Sequence, residues 1–150
     1  MMKKNQFPKP KLPPRGVPQV KPQVTENAAR ENVSAEVALF YMAEQSVTAR
    51  EISTILSKEF GQKTELWEEF QIIEWITEFG HSIDIEQMLK HAFSEEDQAF
   101  LESYHVESVY SITALDSDLP LIQKCFAKVA AKSGGFLCYD TEDFMPILPL

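Results

Sequence analysis

Carboxylates are the chemistry-bearing side chains that recur in groups along this sequence. Glu68 pairs with Glu69, Glu95-Glu96-Asp97 form a run, Asp116 stands near Asp118, and Asp140 is followed by Glu142 and Asp143. On a continuing strand Asp140 and Glu142 project to one side, because side chains alternate with period two. That arrangement offers the oxygen ligands that Mg²⁺ or Ca²⁺ takes. A nuclease-type centre also wants a lysine nearby as a charge partner, and no lysine follows Lys132. The expected role of Asp140, Glu142 and Asp143 is therefore an acidic turn at the end of a strand.

The remaining reactive types carry no recognisable spacing. His81, His91 and His105 form no HxH, HxxxH or HExxH pattern, so a zinc site is not signalled. Cys125 falls on the apolar stripe of a helix and Cys138 lies between Leu137 and Tyr139 in a strand-like run, so both read as reduced core residues. There is no GxSxG elbow. "SGG" at 133–135 follows a helix instead of opening one, so it offers no helix N–H groups to a phosphate. The residues assign no catalytic role, no metal and no cofactor, and the expectation is a protein that is not an enzyme.

The elements that position the carboxylates follow from periodicity. "VALFYMAE" (37–44) reads as a buried strand. "SVTAREISTILSKEFG" reads as a helix: Ser46 or Thr48 caps it, Glu51 completes a capping box with Thr48, and Gly61 ends it. Its inward face carries Ile52, Ile55, Leu56 and Phe60. Residues 65–79 fit either a helical stripe or strands; their aromatic and β-branched content favours a hairpin of 70–77 with 82–86. Ser94 opens a helix with Glu95, Glu96 and Asp97 in its first turn, where the helix dipole favours anions. Residues 106–115 alternate like a strand. A helix follows from an Asp118 cap to Gly134-Gly135, with Leu121, Ile122, Cys125, Phe126 and Val129 inward and Lys124, Lys128 and Lys132 outward. "FLCYD" returns as a strand. The predicted class is α+β: a mainly antiparallel sheet with helices packed on one face and a C-terminal β-α-β unit.

Charge divides the chain. The net charge is -9, yet residues 1–30 hold Lys3, Lys4, Lys9, Lys11, Arg15, Lys21 and Arg30 against Glu26 alone, a net of +6. The rest holds 7 basic and 22 acidic residues, a net of -15. Six of the nine prolines lie between Pro8 and Pro22. Residues 1–31 are expected to be a flexible, basic, proline-rich tail, and residues 32–150 a single acidic domain. No run of 18 apolar residues suits a membrane span, and no apolar segment follows the basic start as in a signal peptide, so a cytoplasmic protein is expected. An acidic body repels nucleic-acid backbones and attracts a basic protein. The candidate contacts are Glu68, Glu69, Glu74, Glu95, Glu96, Asp97, Asp140, Glu142 and Asp143.

The end of the chain, "LIQKCFAKVAAKSGGFLCYDTEDFMPIL" (121–148), is a helix, a Gly-Gly stop, a strand and an acidic turn before Phe144 and Pro146. On that segment, about a fifth of the sequence, and on its small acidic α+β body, the chain resembles the small immunity proteins of bacterial polymorphic-toxin systems. The resemblance implies an antagonist that binds a cognate toxin and occludes its active site without catalysis. It does not extend to the proline-rich leader. The alternative is a phage or host accessory protein whose basic tail docks on an acidic partner or nucleic acid.

Overall fold

Strand β1 (Glu36–Ala43) is apolar on both parities, as a strand covered on two faces must be. The structure, a computed structural model, describes residues 35–150. The tail expected for residues 1–31 lies outside the described residues. β1 leads into helix α1 (Ala49–Thr54), which continues as a π-helical turn over Ile55–Glu59. Strands β2 (Lys63–Trp67), β3 (Ile72–Ile76) and β4 (Ser82–Met88) follow, then helix α2 (Glu95–Ser103), strand β5 (Ser108–Leu115), helix α3 (Leu119–Ser133) and strands β6 (Phe136–Tyr139) and β7 (Ile147–Leu148).

The seven strands form one sheet in the order β2-β3-β4-β5-β1-β6-β7, and every pairing is antiparallel. β5 and β6 both run antiparallel to β1 and flank it, so they are parallel to each other. The C-terminal β-α-β unit of the sequence reading is thus a split one, with β1 inserted between its two strands.

Alternation along β1 divides the interior in two. Leu39, Tyr41 and Ala43 point to one face with Ile73, Trp75, Ile83, Ile85, Tyr110, Ile112 and Leu137. There α1 supplies Ala49 and Ile52, the π turn Ile55 and Leu56, and α3 Ile122, Cys125, Phe126 and Val129. Polar ends in this layer find partners, as burial requires. Tyr110 donates its hydroxyl to the Val47 carbonyl at 2.6 Å, and Trp75 Nε1 donates to Gln62 Oε1 at 2.8 Å. Phe40 and Met42 point the other way, into a smaller cluster with Val109, Cys138, Val106, Phe144 and Leu101 of α2. The α+β class stands, with α1 and α3 on one face as expected; α2 adds Leu101 to the opposite face. Cys125 and Cys138 belong to opposite layers and are free thiols.

The caps follow their sequence signals with one exception. Thr48 accepts from the Glu51 N–H at 3.1 Å while Glu51 accepts from the Thr48 N–H at 2.8 Å, a complete capping box. Ser94 accepts from the Asp97 N–H. Asp118 sits at the N-cap of α3 but its side chain makes no cap hydrogen bond. A 3₁₀ turn over Asp116–Asp118 runs into the helix, its backbone already helical, and the Asp118 carboxylate turns toward His81 instead. β2 and β7 were not foreseen in the sequence.

Candidate binding surface

The two carboxylate runs that the sequence separates by some forty residues meet in space. Ser94 caps α2 so that Glu96 and Asp97 stand at its start, and β6 ends at Tyr139, where the Asp140 N–H donates to the Ala38 carbonyl at 2.9 Å. Glu96, Asp97, Asp140 and Glu142 then line one open cleft of about 590 Å³ with Phe40, Phe93, Ser94, Thr141 and Phe144. Its floor is aromatic. Phe40 packs edge-on against Phe93 and Phe144 with ring centroids 5.7 and 5.8 Å apart, and Phe100 lies 4.7 Å from Phe144. Phe144 is buried at φ +60°, a left-handed conformation that a bulky side chain adopts only when its surroundings enforce it. The Thr141 hydroxyl accepts from the Met145 N–H at 2.9 Å and braces that turn.

Burial, and next the nearby Asp97 carboxylate, push the Asp140 carboxyl above the usual carboxylate range. This is the electrostatic mark of the cleft: the carboxylates of Asp140 and Asp97 lie near enough to oppose each other's charge.

The other candidates are placed elsewhere. Glu95 faces a second cleft beside α2, with Lys90, Glu102, His105 and Glu107. Asp143 accepts from the Met145 N–H at 3.1 Å and so serves the turn. Glu68 is taken up by Arg50, whose Nε and Nη2 donate to its two oxygens at 2.8 and 2.6 Å; these bonds hold the Glu68 carboxyl below its usual range. Glu69 is in the same 3₁₀ turn after β2. Glu74 lies on the face of the sheet opposite α1 and α3, directly opposite Glu65 on β2 and Asp84 on β4. Neither Glu65 nor Asp84 is among the contacts expected from the sequence. The alternation in "SIDIE", with Ile83 and Ile85 inward, was the signal that set Asp84 and Glu86 outward.

The geometry also bears on catalysis. Thr77, His81 and Asp118 have the residue types of a nucleophilic triad. Yet Thr77 Oγ1 at 3.4 Å and Asp118 Oδ2 at 3.3 Å both approach the same ring nitrogen, Nδ1 of His81. A working triad needs the nucleophile and the orienting carboxylate on opposite ring nitrogens. Both thiols are raised by burial, Cys125 to about 11 and Cys138 to about 12, which disfavours the nucleophilic thiolate. Among the described residues no three His, Cys, Asp or Glu side chains converge closely enough to hold a metal ion. No helix there is long and apolar enough to cross a membrane.

No family model, no curated protein and no solved structure matches this chain, so its functional reading stands on fold and surface geometry.

Proposed function

We propose that this chain is a non-enzymatic, protein-binding antagonist of the immunity type, which neutralises a cognate toxin by occluding its basic active-site cleft. The observation that carries the reading is the meeting of Glu96, Asp97, Asp140 and Glu142 over the aromatic floor of Phe40, Phe93 and Phe144. A carboxylate-rimmed aromatic cleft suits an arginine or lysine side chain. The carboxylates accept its hydrogen bonds, and the partly exposed Phe93 ring beside them takes its apolar stem. The same field speeds encounter with a basic partner. The alternative of docking through the basic tail concerns residues outside the described ones.

The test pairs the purified chain with the product of the gene adjacent to its own, if that product is a basic toxin domain, and measures binding and toxin inhibition at low and high salt. Expected is salt-sensitive binding that inhibits the toxin and is weakened by Asp97→Lys and by Glu142→Lys. Binding that ignores both reversals and the salt, or the absence of binding, overturns the reading.

A further inference from the structure

Strand β2 is an edge of the sheet: β3 pairs with one side of it, and no described strand pairs with the other. Its five residues, Lys63–Trp67, are regularly extended, with no proline, glycine or bulge to blunt the edge. Thr64 and Leu66 turn to the helix-bearing face: the Thr64 hydroxyl lies 2.8 Å from that of Ser53, and Leu66 packs against the main core. By alternation Lys63, Glu65 and Trp67 stand on the open face.

On that face Glu65 ends a row of like charges, Asp84–Glu74–Glu65, in direct cross-strand register. Like charges directly opposite one another destabilise a sheet. None of the three has an ion-pair partner among the described residues. The cation of this edge, Lys63, lies two residues along the same strand and faces Ile76, so it stands opposite none of them.

A second copy resolves this. Antiparallel pairing of β2 with β2 about a twofold axis through Thr64 sets Lys63 opposite Glu65 of the second copy, and Glu65 opposite its Lys63. The contact is self-complementary, as a twofold interface must be. It adds a cation at the free end of the acidic row and pairs the open backbone groups of the edge. Centring on Glu65 would oppose that carboxylate to itself. Trp67, 44% exposed, stands at the far end of the same open face. We propose that the chain forms a twofold-symmetric dimer by β2–β2 pairing in this register, joining two seven-stranded sheets into one.

Sedimentation of the full chain over a micromolar to submillimolar series tests this, with Lys63→Glu, Glu65→Lys and the double exchange. Both positions are exposed, and circular dichroism confirms that each variant folds. Expected is a concentration-dependent dimer, weakened about tenfold or more by either single reversal. The double exchange, and an equimolar mixture of the two single variants, restore association, because each recreates both opposite-charge pairs. A wild-type chain that stays monomeric throughout overturns the proposal. So does a dimer that tolerates either single reversal, or one that the double exchange and the mixture fail to restore.

Discussion

Gly135 lies so close to Met42 that a β-carbon on it would stand 1.8 Å from the Met42 carbonyl oxygen. This contact fixes how α3 returns to the sheet. Ser133 accepts from the N–H groups of Glu44 and Gln45 at 3.1 and 3.0 Å, and the chain then crosses the end of β1 at Gly134 and Gly135, with φ of +72° and +93°. Both the left-handed backbone and the missing side chain are needed there, because the neighbour is backbone and has no rotamer to yield. Gly135→Ala is expected to cost about 3 kcal/mol or more in urea unfolding, by clash and strain together. Gly80→Ala, at φ +90° with nothing within 4 Å, carries the conformational cost alone, about 1 kcal/mol. Equal costs at the two positions would show that the close approach is not maintained in solution.

The capping box at the start of α1 was legible from spacing and is open to a direct measurement. Thr48→Ala removes the acceptor of the Glu51 N–H and is expected to cost about 1 kcal/mol. Glu51→Ala removes the reciprocal bond to the Thr48 N–H. Because the two bonds share one turn, the double variant should cost less than the two single losses added together. Strict additivity in a double-mutant cycle would count against a coupled cap.

What could be read in advance was whatever local sequence decides. Thr48 with Glu51, Ser94 before three acids, and Gly134-Gly135 after an apolar helix each announced a boundary within a few residues. The aromatic and β-branched content of 70–77 and 82–86 favours a hairpin over a helical stripe, and the structure adds that Ile73, Trp75, Ile83 and Ile85 turn inward by alternation. β2 was missed because only Thr64 and Leu66 of its five residues turn inward, too few to declare a period. α2 buries Leu101 alone, so its sequence does not announce the sheet face on which it packs. The cleft was half legible. Every carboxylate lining it had been named, but the meeting of Glu96 and Asp97 with Asp140 and Glu142 depends on β1 lying between β5 and β6, a long-range pairing.

The raised Asp140 carboxyl makes a prediction of definite sign. In the folded chain this group holds its proton more tightly than in the unfolded chain, chiefly through burial and then through Asp97. Between the ordinary carboxylate value and the raised folded one, the native state binds the extra proton. Stability therefore falls as pH rises through that window. Asp140→Asn removes the dependence: it should be more stable than the wild type at neutral pH, with the advantage shrinking as both are taken into the acid range. Chemical denaturation as a function of pH measures this. In Asp97→Asn, the Asp140 titration followed by NMR should move part of the way back to the ordinary range. An Asp140→Asn advantage that grows toward acid would reverse the sign and refute the assignment.

Glu74 stands in the middle of the row formed with Glu65 and Asp84, so a substitution there changes two like-charge contacts at once. Glu74→Thr puts a good strand former in its place and is expected to stabilise the chain by about 0.5–1 kcal/mol. Glu74→Lys, opposite a carboxylate on either side, should stabilise at least as much. Both gains should shrink as salt is raised, because the side chains are solvent-accessible and screened. A higher urea midpoint with an unchanged slope is the readout, since a changed slope would report on compactness instead. If Glu74→Thr is no more stable than the wild type at low salt, the three carboxylates do not repel one another appreciably, and the row loses its energetic argument for recruiting a cation.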